Sequence, residues 1–493
     1  LYTDNPEFRE TYDRYHVGLA DFLREVRHTT PDQNVYLVGG ALRDLVLGRG
    51  VKDLDFVVAD GSVRLAKAVR RRFDGVWYSL DDEHQTARVI LEQGQPDELV
   101  LDFTSFIGGS LEEDLRQRDF TINAMAIDLD NLKVVIDPWG GQDDLKKGRL
   151  RLGNPNSMLS DPLRALRAVR MTRAFDLDLT LEIYEQLRVA STYLNRISGE
   201  RIRDELLKSL DLPGLDQTAA LLQSSGILAQ LNQRIFGFSP EVYPESYLSL
   251  LRDLEELLGL IEKEKSLSLS ENSSPNGYCL PTDHVLGLKT LLSENIQGGR
   301  SRKQLLILFS LFFMQHRFAP ENQQIPGSKE ENFAELNPEE VSERFMKAFL
   351  LGQKERKYLE SLCGGYLTFK SWAEKQDLER LDLYRYFRDF GSYGLDSALL
   401  YLFLSASDAS VNQKFDAFAT KIIWTWFANY EEIVDPPHLI DGDQLQKALH
   451  LEPGPKIGVL LEMIREAQVL KYVEDFNQEI EFAQKTLEEM EEL

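Results

Sequence analysis

The chain has 493 residues, enough for about three domains of ordinary size, with 43% hydrophobic and 28% charged residues, an everyday globular composition. Its net charge of −25 argues against a nucleic-acid partner unless cations are gathered on one face. Two cysteines far apart, Cys279 and Cys363, exclude a disulfide framework and a Cys-rich zinc spacing, and the absence of a long apolar run or a charged-then-apolar leader points to a cytoplasmic protein without a membrane span.

In chain order, residues 6–27 read as a helix, part of an N-terminal helical extension over 1–30. Val35 to Val38 is a short apolar run ending at Gly39-Gly40, which predicts a strand, and Ala41 to Leu47 predicts a helix opening just after the glycines. Leu54 to Val58 reads as a strand stopped by Asp60-Gly61, and Arg64 to Phe73 as a basic helix. Arg88 to Leu91 and Leu99 to Phe103 predict a hairpin around residues 93–98. Phe120 to Ile127 reads as a helix and Val134 to Ile136 as a strand, which closes a small α/β domain near residue 150. From Asp161 onward the pattern is helical almost throughout, with Pro162 suited to a first turn and Ser160 or Asp161 to a cap. Polar stretches over 263–277 and 320–332 read as linkers or long loops. Basic residues gather early (Arg64, Lys67, Arg70, Arg71, Arg72, then Arg164, Arg167, Arg170, Arg173), and acidic ones later, around 253–264, 330–343 and 481–492.

Two short features carry chemistry. In Lys52-Asp53-Leu54-Asp55-Phe56, strand alternation points Asp53 and Asp55 one way and Leu54 and Phe56 the other. Two carboxylates on one face repel unless a cation sits between them, and hard oxygen ligands suit Mg²⁺ with retained waters and substrate phosphates. Taken alone, the pair reads either as a metal site or as a solvated strand face. Just upstream, Gly39-Gly40 lie between strand and helix, where backbone N–H groups approach an anion, and Arg43 stands one turn into the helix, within reach of a phosphate oxygen. The alternative is a tight turn with an ordinary surface arginine.

The combination, Gly-Gly-x-x-Arg-Asp followed by Asp-x-Asp on the next strand, resembles the head of the polymerase-β nucleotidyltransferase superfamily. Three further segments narrow the resemblance to class II tRNA nucleotidyltransferases and their relatives, the bacterial poly(A) polymerases. The run Asp114-Leu115-Arg116-Gln117-Arg118-Asp119-Phe120-Thr121-Ile122-Asn123-Ala124 is similar to the family's Arg-Arg-Asp-Phe-Thr-Ile-Asn-Ala, with Gln117 in place of the first Arg. The resemblance implies that Arg118, Asp119 and Asn123 contact the incoming nucleotide, and a carboxylate there is able to accept from a 2′-OH. The run Ser160-Asp161-Pro162-Leu163-Arg164-Ala165-Leu166-Arg167-Ala168-Val169-Arg170 resembles the family's Glu-Asp-x-x-Arg and the basic run after it, with Ser160 where Glu is usual. Asp161 and Arg164, three apart, would share a helix face. The family uses such a pair to read the base of CTP or ATP, with Arg167 in the same nucleotide-binding set. Near the C-terminus, Gly442-Asp443-Gln444-Leu445 and Pro453-Gly454-Pro455-Lys456-Ile457-Gly458 resemble the family's tail, where Lys456 and a helix N-terminus would hold a tRNA phosphate.

The resemblance implies an α+β protein: a polymerase-β-like nucleotidyltransferase head over 31–150, then a mostly helical neck over 151–215 with the base-reading motif, a body over 216–430 with polar loops, and a tRNA-binding tail over 431–493. It implies tRNA, gripped by its acceptor arm, as acceptor, CTP (with ATP left open) as donor, and Mg²⁺ held by Asp53 and Asp55. Asp102, at a point where relatives often carry an acidic residue, reads as a third catalytic carboxylate or as a strand-end Asp. Only Ile107 to Glu113 separate Phe106 from the Asp114 run, where CCA-adding relatives usually carry a longer flexible loop tied to the switch from C to A. That shortness suggests a CC-adding specialist followed by a separate A-adding enzyme. A poly(A) polymerase and a non-catalytic RNA-binding protein are the rival readings. Asp283-His284 and His316 do not make the His-Asp metal pattern of some relatives.

Overall fold

The computed structural model describes residues 18–81, 85–95, 97–238, 245–264, 267–268, 279–317, 337–372, 375–405 and 412–491. Most of the two polar stretches and the first part of the N-terminal helix therefore lie outside the described residues. The chain forms two compact units, one running to Ile197 and including Leu221–Gln230, the other holding Ser198–Ala220 and Leu231 onward. The fold is α+β.

The first unit is built on one sheet. A helix, α1 (Leu19–His28), precedes β1 (Val35–Val38), α2 (Gly40–Val46), β2 (Asp53–Val58), α3 (Ser62–Phe73), β3 (Val76–Asp81), β4 (Thr86–Leu91) and β5 (Leu99–Ser105). Then come α4 (Leu111–Gln117), β6 (Ala126–Asp128) and β7 (Val135–Ile136). The strand order is β3-β4-β5-β2-β1-β6-β7, with β2 and β5 parallel and the other neighbours antiparallel. Alternation decides which face is core. Leu54, Phe56, Leu101 and Phe103 are at most 1% exposed, and the rings of Phe56 and Phe103 stack at 5.0 Å. Each such side chain contributes about 1.5–3 kcal/mol by leaving water. The opposite face carries Asp53 and Asp55. The predicted hairpin forms as β4 and β5, with Arg88 directly across from Asp102.

One local expectation fails, and one strand has no forerunner. Phe120 to Ile127 is not a helix: a single 3₁₀ turn at Thr121–Asn123 is followed by β6. The free edge of β1 takes Ala126 and Ile127 as ladder partners, while Phe120 bridges to Leu152 and the Thr121 hydroxyl donates to Asp144 at 2.7 Å. Tertiary pairing overrides the local preference for a helix. The strand β3 has no counterpart in the sequence reading, although Val76-Trp77-Tyr78 is the β-branched and aromatic kind of run that favours an edge strand.

Beyond the sheet, α5 (Gly141–Lys146) and the short pair β8 (Arg149–Leu150) and β9 (Asp178–Leu179) flank α6 (Ser157–Ser160) and α7 (Leu163–Phe175). The helices α8 (Leu181–Ser191), α9 (Gly199–Leu210), α10 (Leu215–Ser224) and α11 (Ile227–Phe236) follow.

The second unit is mostly helical, with two short antiparallel strand pairs, and runs through α12 (Glu245–Glu262), α13 (Thr282–Ser293), α14 (Arg302–Arg317), α15 (Pro338–Phe349), α16 (Gln353–Ser371), α17 (Arg380–Phe390), α18 (Tyr393–Ser405) and α19 (Asn412–Ala428). It ends with α20 (Gly442–Leu449), α21 (Pro455–Val469) and α22 (Phe476–Glu491). Asp441 caps α20 in a reciprocal capping box with Gln444. No helix among the described residues is long and apolar enough to cross a membrane.

Glu479 on α22 is 1% exposed, and its Oε2 finds no hydrogen-bond donor among the described residues. Burial, with Asp475 adding to it, pushes its carboxyl up to about 7 from 4.5. A raised folded-state pKa stabilises below the unfolded value, and that stability is lost as pH rises through the folded one. The C-terminal helices should therefore lose stability between pH 4.5 and about 7. Glu479→Gln should remove that slope and unfold at a higher temperature than the parent at pH 8; thermal melts at pH 5 and pH 8 check this.

Candidate active site

The site is assembled on β2 and the two turns beside it. Gly39 follows β1 with φ +78°, a backbone state open to glycine, and a Cβ there would lie 2.8 Å from Asp55 Oδ2 and 3.1 Å from an Arg118 guanidinium nitrogen. The missing side chain at Gly39 thus leaves room for both the Asp55 carboxylate and the Arg118 guanidinium. Register places Asp55 against Val38 on one side and Asp102 on the other, and Asp102 against Arg88, so one row across the sheet holds both carboxylates and that arginine. Asp53, two residues before Asp55, shares its face and is exposed.

Electrostatics separate these carboxylates. Asp102 is held by Arg88 through two hydrogen bonds of 2.8 Å, and that bond to Asp102 in turn raises the Arg88 pKa. Burial raises the Asp55 pKa, with Asp102 and Asp53 adding to it, against the lowering charges of Arg118 and Arg167. Neither Asp53 nor Asp55 forms an ion pair or side-chain hydrogen bond among the described residues, because the arginines nearby are committed to other acids.

Those commitments form the platform beside the pair. Asp114, 3% exposed, accepts from Arg118 Nε and Nη2 at 3.2 Å, and its other oxygen accepts from the Ile107 N–H at 3.1 Å. Asp119, 5% exposed, meets Arg167 at 3.0 Å and accepts from Asn123 Nδ2 and the Phe120 N–H at 2.9 Å. Burial works to raise its pKa, but Arg167 and those two donors hold it below the ordinary carboxylate range. Asn123 Oδ1 accepts from Arg43 at 2.7 Å. Arg43 is buried and turned inward: it grips Asp44 at 3.0 Å and lies 4.1 Å from the Phe175 ring centre. The structure therefore places Arg43 as a brace behind the platform, where the sequence reading placed it at a phosphate.

Asp161 and Arg164 do not share a helix. Asp161 is extended (φ −138°, ψ 96°), as a residue before proline is pushed to be, and α7 begins after Pro162. Arg164 is half-buried, donating to Ser157 Oγ at 2.6 Å and to the Gln117 carbonyl at 2.9 Å. Burial lowers its pKa, against the raising charges of Asp119 and Asp161. Arg164 thus spans the two sequence runs. Three partners escaped the sequence reading. Asp114 carried a signal, its i,i+4 spacing to Arg118. Arg88 and Ser157 carried none, since strand register and a loop bring them in.

The pair fits a divalent metal: two uncompensated carboxylates on one face, hard oxygen donors, and local cations already spent. No group of three or more His, Cys, Asp or Glu is placed to hold a metal among the described residues, so nucleotide phosphates and water would complete the sphere. Because Arg88 already neutralises Asp102, Asp102→Asn should lower turnover by only about tenfold, the low end of the range for outer-shell partners. Steady-state kinetics would show it, and a collapse as deep as that of an Asp53 variant would mark Asp102 as a true ligand.

Comparison with known proteins completes the picture. Residues 35–151 match the family described as "Poly A polymerase head domain", and residues 176–235 the one described as "Probable RNA and SrmB- binding site of polymerase A". A CC-adding tRNA nucleotidyltransferase of Synechocystis sp. is 27% identical over 451 residues, 91% of this chain and 92% of that one. The chain thus carries a poly(A) polymerase-type head and is similar over most of its length to a class II tRNA nucleotidyltransferase. A CC-adding tRNA nucleotidyltransferase of Geobacter sulfurreducens is 37% identical over 179 residues, 36% of this chain and 40% of that protein. A solved structure, the complex of a CCA-adding enzyme with CTP, shares the fold with a TM-score of 0.66 at 20% identity, covering 98% of this chain and 97% of that one.

Proposed function

We propose that this chain is a CC-adding tRNA nucleotidyltransferase, extending the tRNA 3′ end with C from CTP without a nucleic-acid template. The observation that carries it is the unpaired Asp53–Asp55 couple beside the Arg118–Asp119–Asn123–Arg167 platform, in a chain aligned over 91% of its length with a CC-adding relative. The tRNA 3′-OH attacks the α-phosphate of CTP; the new P–O bond forms as the α–β bridge bond breaks, and pyrophosphate leaves. Mg²⁺ held by Asp53 and Asp55 would stabilise charge on the attacking and leaving oxygens. The chain's own residues position: Arg118 faces the triphosphate beside Gly39 and Gly40, Asp119 and Asn123 face the ribose, and Asp161 with Arg164 meets the base edge. In this reading residues 31–150 are the catalytic head, 151–215 the neck, 216–430 the body and 431–493 the tail that holds the acceptor arm, working in the cytoplasm.

C-only addition is favoured by the connection from β5 to α4. It is five residues long, turns through Gly108 and Gly109 with φ +93° and +90°, and is pinned by the Ile107 N–H on Asp114 and by Ser110 capping α4. A segment so short and so tied has little freedom to re-form the base site for ATP. A separate A-adding enzyme would then finish the CCA end. The test is an addition assay with Mg²⁺, CTP and ATP on tRNA ending at the discriminator base, followed by 3′-end sequencing. Ends at CC are expected. Ends at CCA would sink the C-only reading, and long A tails would move the protein to the poly(A) polymerases.

A further inference from the structure

On the far side of the sheet from Asp55, α3 presents a basic track. Gly75, which follows it, packs so closely that a Cβ would strike Leu91 and Val89, and Val89 lies in register with Leu101 and Leu54 on the face away from the carboxylates. Arg64, Lys67, Arg70 and Arg71 of α3 are all exposed, and residues 61–73 hold no acid. Arg64, Lys67 and Arg71 are spaced three and four apart, so they line one stripe with about 5–6 Å between neighbours. They form one wall of a groove of about 460 Å³ whose other wall is Thr29, Thr30 and Asp32. Thr30 is 8% exposed and its hydroxyl has no partner among the described residues. A second depression of about 380 Å³ shares Lys67 and Arg71 and adds Arg70 and Trp77, with the Lys67 ammonium 4.8 Å from the Trp77 ring centre. None of Arg64, Lys67, Arg70 and Arg71 forms an ion pair among the described residues, unlike Arg72, which is tied to Glu25 at 2.8 Å.

Three cations without ion pairs on one groove, beside the buried Thr30 hydroxyl, and Arg70 on the adjoining depression, on a molecule of net charge −25, are complementary to a chain of phosphates. We infer that the α3 track is an RNA-backbone site, holding phosphates of the tRNA substrate away from its reacting end. This rests on the tRNA reading above. The outer face of α3 stands at least one helix diameter, about 10 Å or more, behind the sheet that carries Asp55, so the RNA it holds is not the 3′ terminus.

The experiment compares the parent with Arg64→Gln/Lys67→Gln/Arg71→Gln, which keeps helix propensity and removes three charges. Substrates are full-length tRNA and a short acceptor-stem hairpin, at several salt concentrations. The triple variant should raise KM for full-length tRNA about tenfold and flatten the slope of log affinity against log salt by about two. Its kcat, and its KM for the hairpin, should stay at parent values. Unchanged tRNA KM and salt slope overturn the inference, and so does an equal loss on the hairpin, which would put the contact at the reacting end. Should the parent add nothing to tRNA, the function falls, yet tRNA binding by fluorescence anisotropy still decides the track: equal affinity for parent and variant overturns it, weaker affinity for the variant supports it. A variant that loses only inorganic phosphate also overturns it.

Discussion

Asp53→Asn and Asp55→Asn should each lower pyrophosphate release by about a thousandfold, the upper end of the scale on which a single preorganised electrostatic group acts in a closed site. Neither change should weaken the fold. Asp53 is exposed on β2, and Asp55 sits where burial, with Asp102 and Asp53 adding to it, outweighs Arg118 and Arg167 and opposes its charge. Replacing a carboxylate with an amide of the same shape there relieves repulsion instead of removing a partner. In metal-free buffer the Asp55→Asn protein should therefore melt at the parent temperature or above it. An ordinary structural carboxylate gives the opposite signature, losing stability with its partner. If Asp55→Asn unfolds early, its inactivity is a folding defect and the metal reading loses its support; if it melts normally and still adds nucleotides at the parent rate, the mechanism is wrong.

The head was legible because its signals are local. The Gly39-Gly40 turn and the Asp53-Leu54-Asp55 alternation occupy a few consecutive residues, and strand period alone assigns the carboxylates to one face. What the sequence hid is what depends on register and on proline. Arg88 stands fourteen residues from Asp102 in the chain, and only antiparallel pairing of β4 with β5 brings them together. Asp161 fits a helical spacing to Arg164 until Pro162 forces it out of the helix. The run after Phe120 has the composition of a buried helix, yet β1 had an edge to fill, and that demand is invisible from within the run. Arg43 shows the same limit at a single residue: its place one turn into α2 is readable, but its inward course depends on Phe175 and Asn123, far along the chain.

Asp119→Ala should be the most damaging change on the platform beside Asp55, in stability as well as in activity. The carboxylate is 5% exposed and collects Arg167, the Asn123 amide and the Phe120 N–H. Its removal strands two buried donors and leaves Arg167 without its counter-charge. Breaking a fully buried pair costs about 3–5 kcal/mol; Arg167 is 38% exposed, so solvent screens part of its charge and about 2–4 kcal/mol is the expected loss here. Urea unfolding followed on the first unit would register it. The milder Asp119→Asn keeps the shape and one acceptor oxygen, and it separates two roles. If Asp119 only braces Arg167 and Asn123, the variant should lose kcat and affinity alike for CTP and dCTP. If it also meets the ribose, CTP should suffer selectively, because the 2′-OH loses a charged acceptor worth about 1.5–3 kcal/mol. The kcat/KM ratio of CTP to dCTP should then fall by about tenfold or more. An unchanged ratio in a well-folded Asp119→Asn protein would leave Asp119 a positioning residue and move sugar recognition to another group on the platform.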